Sequence, residues 1–127
     1  MSLPPETLGI RHVALRVADV QRSEAFYCGV LGYRVEWRPD ADDVYLTLDG
    51  QDNLALHKGA VPPGETRLDH FGVMLKKAED VDAWHEHLKA AGTPILKEPK
   101  THRDGARSFY AADPDGNVIQ LIHMRRP

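Results

Sequence analysis

The chain has 127 residues, 28% of them charged, and a formal net charge of −3. That length suits one compact domain spanning residues 1–127 that buries its own core, and the single cysteine, Cys28, leaves neither a disulfide framework nor a Cys-rich zinc site and fits a reducing compartment. No basic stripe points to nucleic acid, no apolar run reaches the ~20 residues of a membrane helix, and the opening MSLPPETLG lacks a signal-peptide layout, so a cytoplasmic globular domain is expected.

Residues 10–17 alternate, with Val13, Leu15 and Val17 opposed to His12, Ala14 and Arg16, the pattern of a half-buried strand. Asp19 suits the N-cap of a helix through Ser23, Phe26, Tyr27 and Val30, and Gly32 suits the position just past its end. Short strands are expected at 34–38, 44–48 and 53–57. In the last of these Leu54 and Leu56 oppose Asn53, Ala55 and His57. The stretch Val61-Pro62-Pro63-Gly64-Glu65 reads as a linker.

Alternation resumes at 68–75, where Phe71, Val73 and Leu75 oppose His70, Gly72 and Met74. A second helix carries Val81, Trp84, Leu88 and Ala91 on one stripe, with Glu79, Asp80 and Asp82 near its positive end and Gly92 as its stop. Strands at 94–97, 107–112 and 117–123 complete the pattern, with Asp113-Pro114-Asp115-Gly116 as a tight turn before the last. There Ile119 and Leu121 oppose Val118, Gln120 and Ile122.

The two halves repeat at a period of about 60 residues. Each reads β-α-β-β-β, one over about 9–60 and the other over about 66–124. The expected class is α+β. His12 and His70 hold equivalent positions on the face away from the helices, and each has a small residue two along, Ala14 and Gly72. A two-fold relation between modules would gather His12, His70, Ala55 and Gln120 on one concave surface. Two imidazoles and an oxygen donor, with open positions, suit a divalent first-row metal that polarises a carbonyl or enolate oxygen, binds a catecholate or activates dioxygen. A lone strand histidine is by default a satisfied polar group. The repeat placement is what lifts this pair above that default.

Other polar residues give weaker signals. Trp37, Tyr45 and Tyr110 fall on later strands as candidate lining. His102, Arg103 and Arg107 precede or open the strand at 107, where a loop could cover a ligand. His85 and His87 are two apart on a helix and do not share a face. His123 has the parity of Leu121. No Gly-rich phosphate loop or Ser-His-Asp layout is present.

His12 in its apolar strand, Phe26-Tyr27 ahead of Val30-Leu31-Gly32-Tyr33, His70 in Leu68-Asp69-His70-Phe71, and the run from Asp113-Pro114-Asp115-Gly116-Asn117 to Leu121 together resemble the vicinal oxygen chelate superfamily. The resemblance covers about residues 9–123. That group includes glyoxalase I, extradiol ring-cleaving dioxygenases, fosfomycin-resistance enzymes, methylmalonyl-CoA epimerase and bleomycin-binding proteins. It implies paired βαβββ modules forming a cupped mixed sheet around a metal, a small-molecule substrate, and a homodimer.

Position by position, the resemblance puts ligands on His12 and His70, and the final-strand ligand, normally Glu, on Gln120. The fourth position falls on Ala55, which coordinates nothing. The pattern is therefore closer to the three-ligand dioxygenases and fosfomycin-resistance enzymes than to glyoxalase I. Gln120 brings no negative charge, so a His-His-Gln site would leave the cation's charge uncompensated. Fe, Ni, Zn or Mn is the expected metal, with His57 or Tyr110 assisting proton movement. The alternative is a metal-free sequestering protein of the bleomycin-resistance type, in which Gln120 hydrogen-bonds the ligand instead.

Overall fold

The computed structural model describes residues 3–112 and 116–125. Its elements follow the order β1 (Gly9–Val17), α1 (Val20–Gly29), β2 (Arg34–Asp40), β3 (Asp43–Thr47), β4 (Asn53–Lys58), β5 (Leu68–Met74), α2 (Ala78–Ala90), β6 (Ile95–Thr101), β7 (Arg107–Ala112) and β8 (Val118–His123). The expected β-α-β-β-β pattern thus occurs twice. Two compact units result, one comprising residues 11–70 and the other the described residues before and after that span. His70, expected to open the second module, falls in the same unit as His12.

In the unit of residues 11–70 the strand order is β2-β3-β4-β1. β1 runs parallel to β4, and the remaining pairs are antiparallel. The parallel pairing requires a long crossover, which α1, β2 and β3 supply. Asp19 caps α1 as expected, its carboxylate accepting the Arg22 N–H at 3.1 Å. Gly32, at φ +81°, turns the chain out of the helix in a conformation that favours glycine. The core lies between α1 and one sheet face and contains Val17, Val20, Val44, Leu46 and Leu56, with Leu15, Leu54 and Tyr27 packed against it. The opposite face carries the other parity. One row runs Ala14, Ala55, Tyr45, Trp37 across four strands.

The second unit repeats the plan, with order β5-β8-β7-β6 and β5 parallel to β8. Under α2 lie Leu75, Val81, Phe109, Ala111 and Leu121, flanked by Val73, Trp84, Leu88 and Ile119. On the other face one row reads Gly72, Gln120, Tyr110 and the next Met74, Ile122, Ser108. Gly92 ends the α2 segment at φ +78°. Asp113, Pro114 and Asp115 of the expected turn lie outside the described residues.

Two strands run longer than their sequence pattern indicates. β2 continues to Asp40 and β6 to Thr101. Both lie at the end of their unit's strand order, and both contain a proline, Pro39 and Pro99, that interrupts apolar alternation. A position with no neighbour to receive its N–H tolerates proline, so pairing with the next strand carries each segment past the point where the pattern fails. No helix among the described residues is long and apolar enough to cross a membrane.

Phe109 is fully buried beneath α2, whereas Leu96 on β6 is 49% exposed. Truncating Phe109 to Ala should cost about 3–5 kcal/mol. The same truncation at Leu96 should cost under about 1 kcal/mol. Urea denaturation of the two variants measures the contrast.

Candidate metal centre

His12 on β1 and His70 on β5 are both buried, at 5% and 6% exposure. Their Nε2 atoms stand 2.9 Å apart. What each ring does on its other side fixes the chemistry of this contact. His12 Nδ1 lies 2.7 Å from Asn53 Oδ1. The Asn53 amide is oriented in turn, because its Nδ2 donates to Glu36 Oε1 at 3.2 Å. An oxygen therefore faces His12, and Nδ1 must carry the proton. His70 Nδ1 lies 2.7 Å from the Asp69 carboxylate, so it is also the donor. Both Nε2 atoms are left with lone pairs, and the two lone pairs meet.

Two acceptors at that distance repel unless something positive lies between them. A proton or a cation would serve. Burial above all, and the His70 ring next, push His12 down to about 4, so His12 is a neutral ring at neutral pH. A cation fits the spacing. Two nitrogens each about 2.1 Å from one ion, at a right angle, stand about 3 Å apart. Hydrogen bonds that hold Nδ1–H and aim Nε2 are the usual support for a metal-binding imidazole.

Gln120 supplies the second sign of a missing partner. It lies on β8, opposite Gly72, two residues beyond His70 on β5. Its Nε2 donates to Ser108 Oγ at 2.9 Å, while its Oε1 is buried and has no hydrogen-bond partner among the described residues. A buried amide oxygen left unpaired carries a real desolvation penalty, which a ligand would relieve. Ser108 Oγ also contacts His102 Nε2 at 2.8 Å. No cluster of three or more His, Cys, Asp or Glu side chains suited to a metal occurs among the described residues.

The remaining candidates separate clearly. Ala55 is fully buried opposite Ala14 and offers no donor. His57 lies on the same face as His12 but in register with Arg16, about 13 Å further along the strands. Its Nδ1 bonds Asp43 Oδ1 at 2.6 Å, and its ring meets Tyr45 edge-on. Tyr45 stacks on Trp37 with ring centroids 5.3 Å apart. Tyr110 lies directly opposite Gln120, with Lys97 Nζ 5.4 Å from its ring. His123 contacts the Leu75 carbonyl on the helix side, as its parity indicates.

Arg107, at the start of β7, pairs with Asp82 of α2, at 2.7 and 3.1 Å. The orienting roles of Asn53, Asp69 and Ser108 escape a reading by residue type. Asn53 does stand in register with His12, and Asp69 is adjacent to His70 in sequence.

This geometry sits in a chain that belongs to the Glyoxalase/Bleomycin resistance protein/Dioxygenase superfamily, whose description matches residues 9–121. The chain is similar to glutathione transferase FosA of Serratia marcescens, at 30% identity over 118 residues, covering 88% of this chain and 78% of that protein. It is also similar to catechol-2,3-dioxygenase of Bacillus subtilis, at 32% identity over 128 residues, covering 94% of this chain and 43% of that protein. Among solved structures, a variant of homoprotocatechuate 2,3-dioxygenase from Brevibacterium fuscum superposes with a TM-score of 0.78 at 25% identity. That match covers 97% of this chain and 34% of the dioxygenase. The chain therefore spans less than half the length of the two dioxygenases.

The lowered pKa of His12 has a measurable consequence in chelator-treated protein. The unfolded chain binds this proton near pH 6.5 and the folded chain only near pH 4. Stability attributable to His12 is complete above pH 6.5 and declines as pH falls towards 4, by about 3 kcal/mol in all. Urea unfolding at pH 7 and pH 4.5 should show this loss in the wild type and a smaller one in His12→Asn.

Proposed function

We propose that the chain is a divalent-metal-dependent enzyme acting on a small molecule, with His12, His70 and Gln120 as the protein ligands and Fe, Ni, Zn or Mn as the metal. The observation that carries this reading is the pair of Nε2 lone pairs held 2.9 Å apart by hydrogen bonds behind each ring. The unpartnered oxygen of Gln120 supports it. When bound, such a cation supplies Lewis acidity to one or two oxygens of the substrate.

The chain's own residues then divide the remaining work. His57, with Nδ1–H held by Asp43, presents Nε2 as a proton acceptor. Tyr110, opposite Gln120, supplies a hydroxyl that can donate to substrate. Ala14 and Ala55 keep their end of the row free of large side chains, and the Tyr45–Trp37 stack occupies its other end. A planar ring suits such a stack. Ala55 removes the carboxylate that glyoxalase I uses as ligand, and this favours ring-cleaving dioxygenase chemistry over the lyase type. The catechol dioxygenase and FosA relatives support an activity on a small molecule. Exposed Phe26, Val30 and Leu31 on and after α1 support the homodimer.

Metal analysis of protein purified without a His tag tests the reading. One equivalent of metal per chain is expected, and His12→Ala or His70→Ala should abolish it. Gln120→Glu should raise affinity at least about 10-fold by adding a charge to the ligand set. Absence of binding for all four metals, together with tight binding of an aromatic antibiotic, would overturn the enzyme reading in favour of metal-free sequestration. A panel of catechols against one of hemithioacetals then separates the two chemistries.

A further inference from the structure

An imidazole that binds a cation through Nε2 and keeps its proton on Nδ1 is a neutral ligand. A cation held by two such rings keeps its whole charge, and a buried charge needs a compensating partner. That partner has to come from behind the rings. His12 and His70 differ in what stands there, and all the residues concerned lie in the unit of residues 11–70.

Behind His12 is the Asn53 amide, which is neutral; its Oδ1 accepts from Nδ1 at 2.7 Å. Behind His70 is the Asp69 carboxylate, whose Oδ2 accepts from Nδ1 at 2.7 Å. A carboxylate has two acceptor oxygens and no hydrogen to give, so it presents an acceptor to His70 whichever way it turns. The other oxygen, Oδ1, lies 3.8 Å from Arg16 Nε. Arg16 is itself fixed. Its guanidinium donates to the Thr66 carbonyl at 2.9 Å and to Glu65 at 3.3 Å, and its backbone N–H donates to the Arg67 carbonyl at 2.8 Å. Asp69 is therefore drawn to His70 on one side and to Arg16 on the other. A hydrogen bond to an ionised acceptor is roughly twice as strong as one between neutral groups. When electron density is drawn from Nε2, the Nδ1–H becomes more positive, and a facing anion stabilises it more than an amide does.

We propose that Asp69 is a positioning residue whose negative charge, acting through His70, offsets part of the charge of a cation held by His12 and His70. The inference rests on the reading of these two histidines as ligands and adds the source of the charge that neither ring brings.

Cobalt(II) calorimetry on the metal-free full chain, together with heteronuclear NMR of its imidazole rings, tests this. Asp69→Asn removes the charge and keeps an oxygen able to accept from Nδ1. The spectra give the fraction of His70 rings with the proton on Nδ1, and apparent affinity scales with that fraction. After this correction Asp69→Asn should bind cobalt about 10-fold more weakly, the low end for such partners because the Asp69 side chain is 43% exposed. Asp69→Glu keeps the charge and should recover most of the loss. Corrected affinity in Asp69→Asn equal to that of the wild type, or equal losses in the two variants, would overturn the charge role and leave His12 and His70 as ligands. Unchanged cobalt binding in His12→Ala and His70→Ala would overturn the ligand reading and the charge role with it.

Discussion

Everything at the candidate centre depends on where two protons sit. An imidazole can bind a cation only through a nitrogen that has none, and in water the choice between its nitrogens is nearly free. Here Asn53 takes that choice away from His12, and Asp69 takes it away from His70. The rings then face each other through their basic nitrogens, buried and close. This is an unstable arrangement for two neutral bases and a natural one for two ligands. The cost of holding it is carried by the fold, through β1 with β4 on one side and the short reach from Asp69 on the other.

The repeated βαβββ plan explains why such a pair can arise. In each module the opening strand pairs in parallel with the last, β1 with β4 and β5 with β8, and the helix covers one face only. The uncovered face carries the opposite parity, where polar and small residues stand beside aromatic ones. His12 and His70 hold the same place in their respective strands. Family membership follows from the match over residues 9–121 and agrees with this plan. What the relatives are named for varies widely, as one fold can host several activities.

Much of the architecture was legible because strand parity survives translation into sequence. Leu15, Val17, Leu54 and Leu56 face α1 as their alternation indicates, and His12, Ala55 and His57 face away. Helix limits followed from Asp19 and the two positive-φ glycines. The ends of β2 and β6 did not, since Pro39 and Pro99 erase periodicity where pairing alone sustains a strand. The three ligand candidates were visible as residue types on one parity. The orientation of His12 and Gln120 was not, because tautomers and amide flips depend on partners such as Asn53, Glu36 and Ser108 that lie further off in sequence. The partner of Arg107 was hidden for the same reason: nothing in its neighbourhood announces Asp82, 25 residues earlier on α2.

The Glu36–Asn53 contact extends the centre's reach to the rim of its sheet. Glu36 is solvent-exposed on β2, yet it is what keeps the Asn53 amide from rotating. Should that carboxylate be neutralised or drawn away, the amide could offer its nitrogen to His12 instead. The ring proton would then move to Nε2, and a base deep in the protein would become a donor. A group on the outermost strand thus governs the character of an atom it never touches.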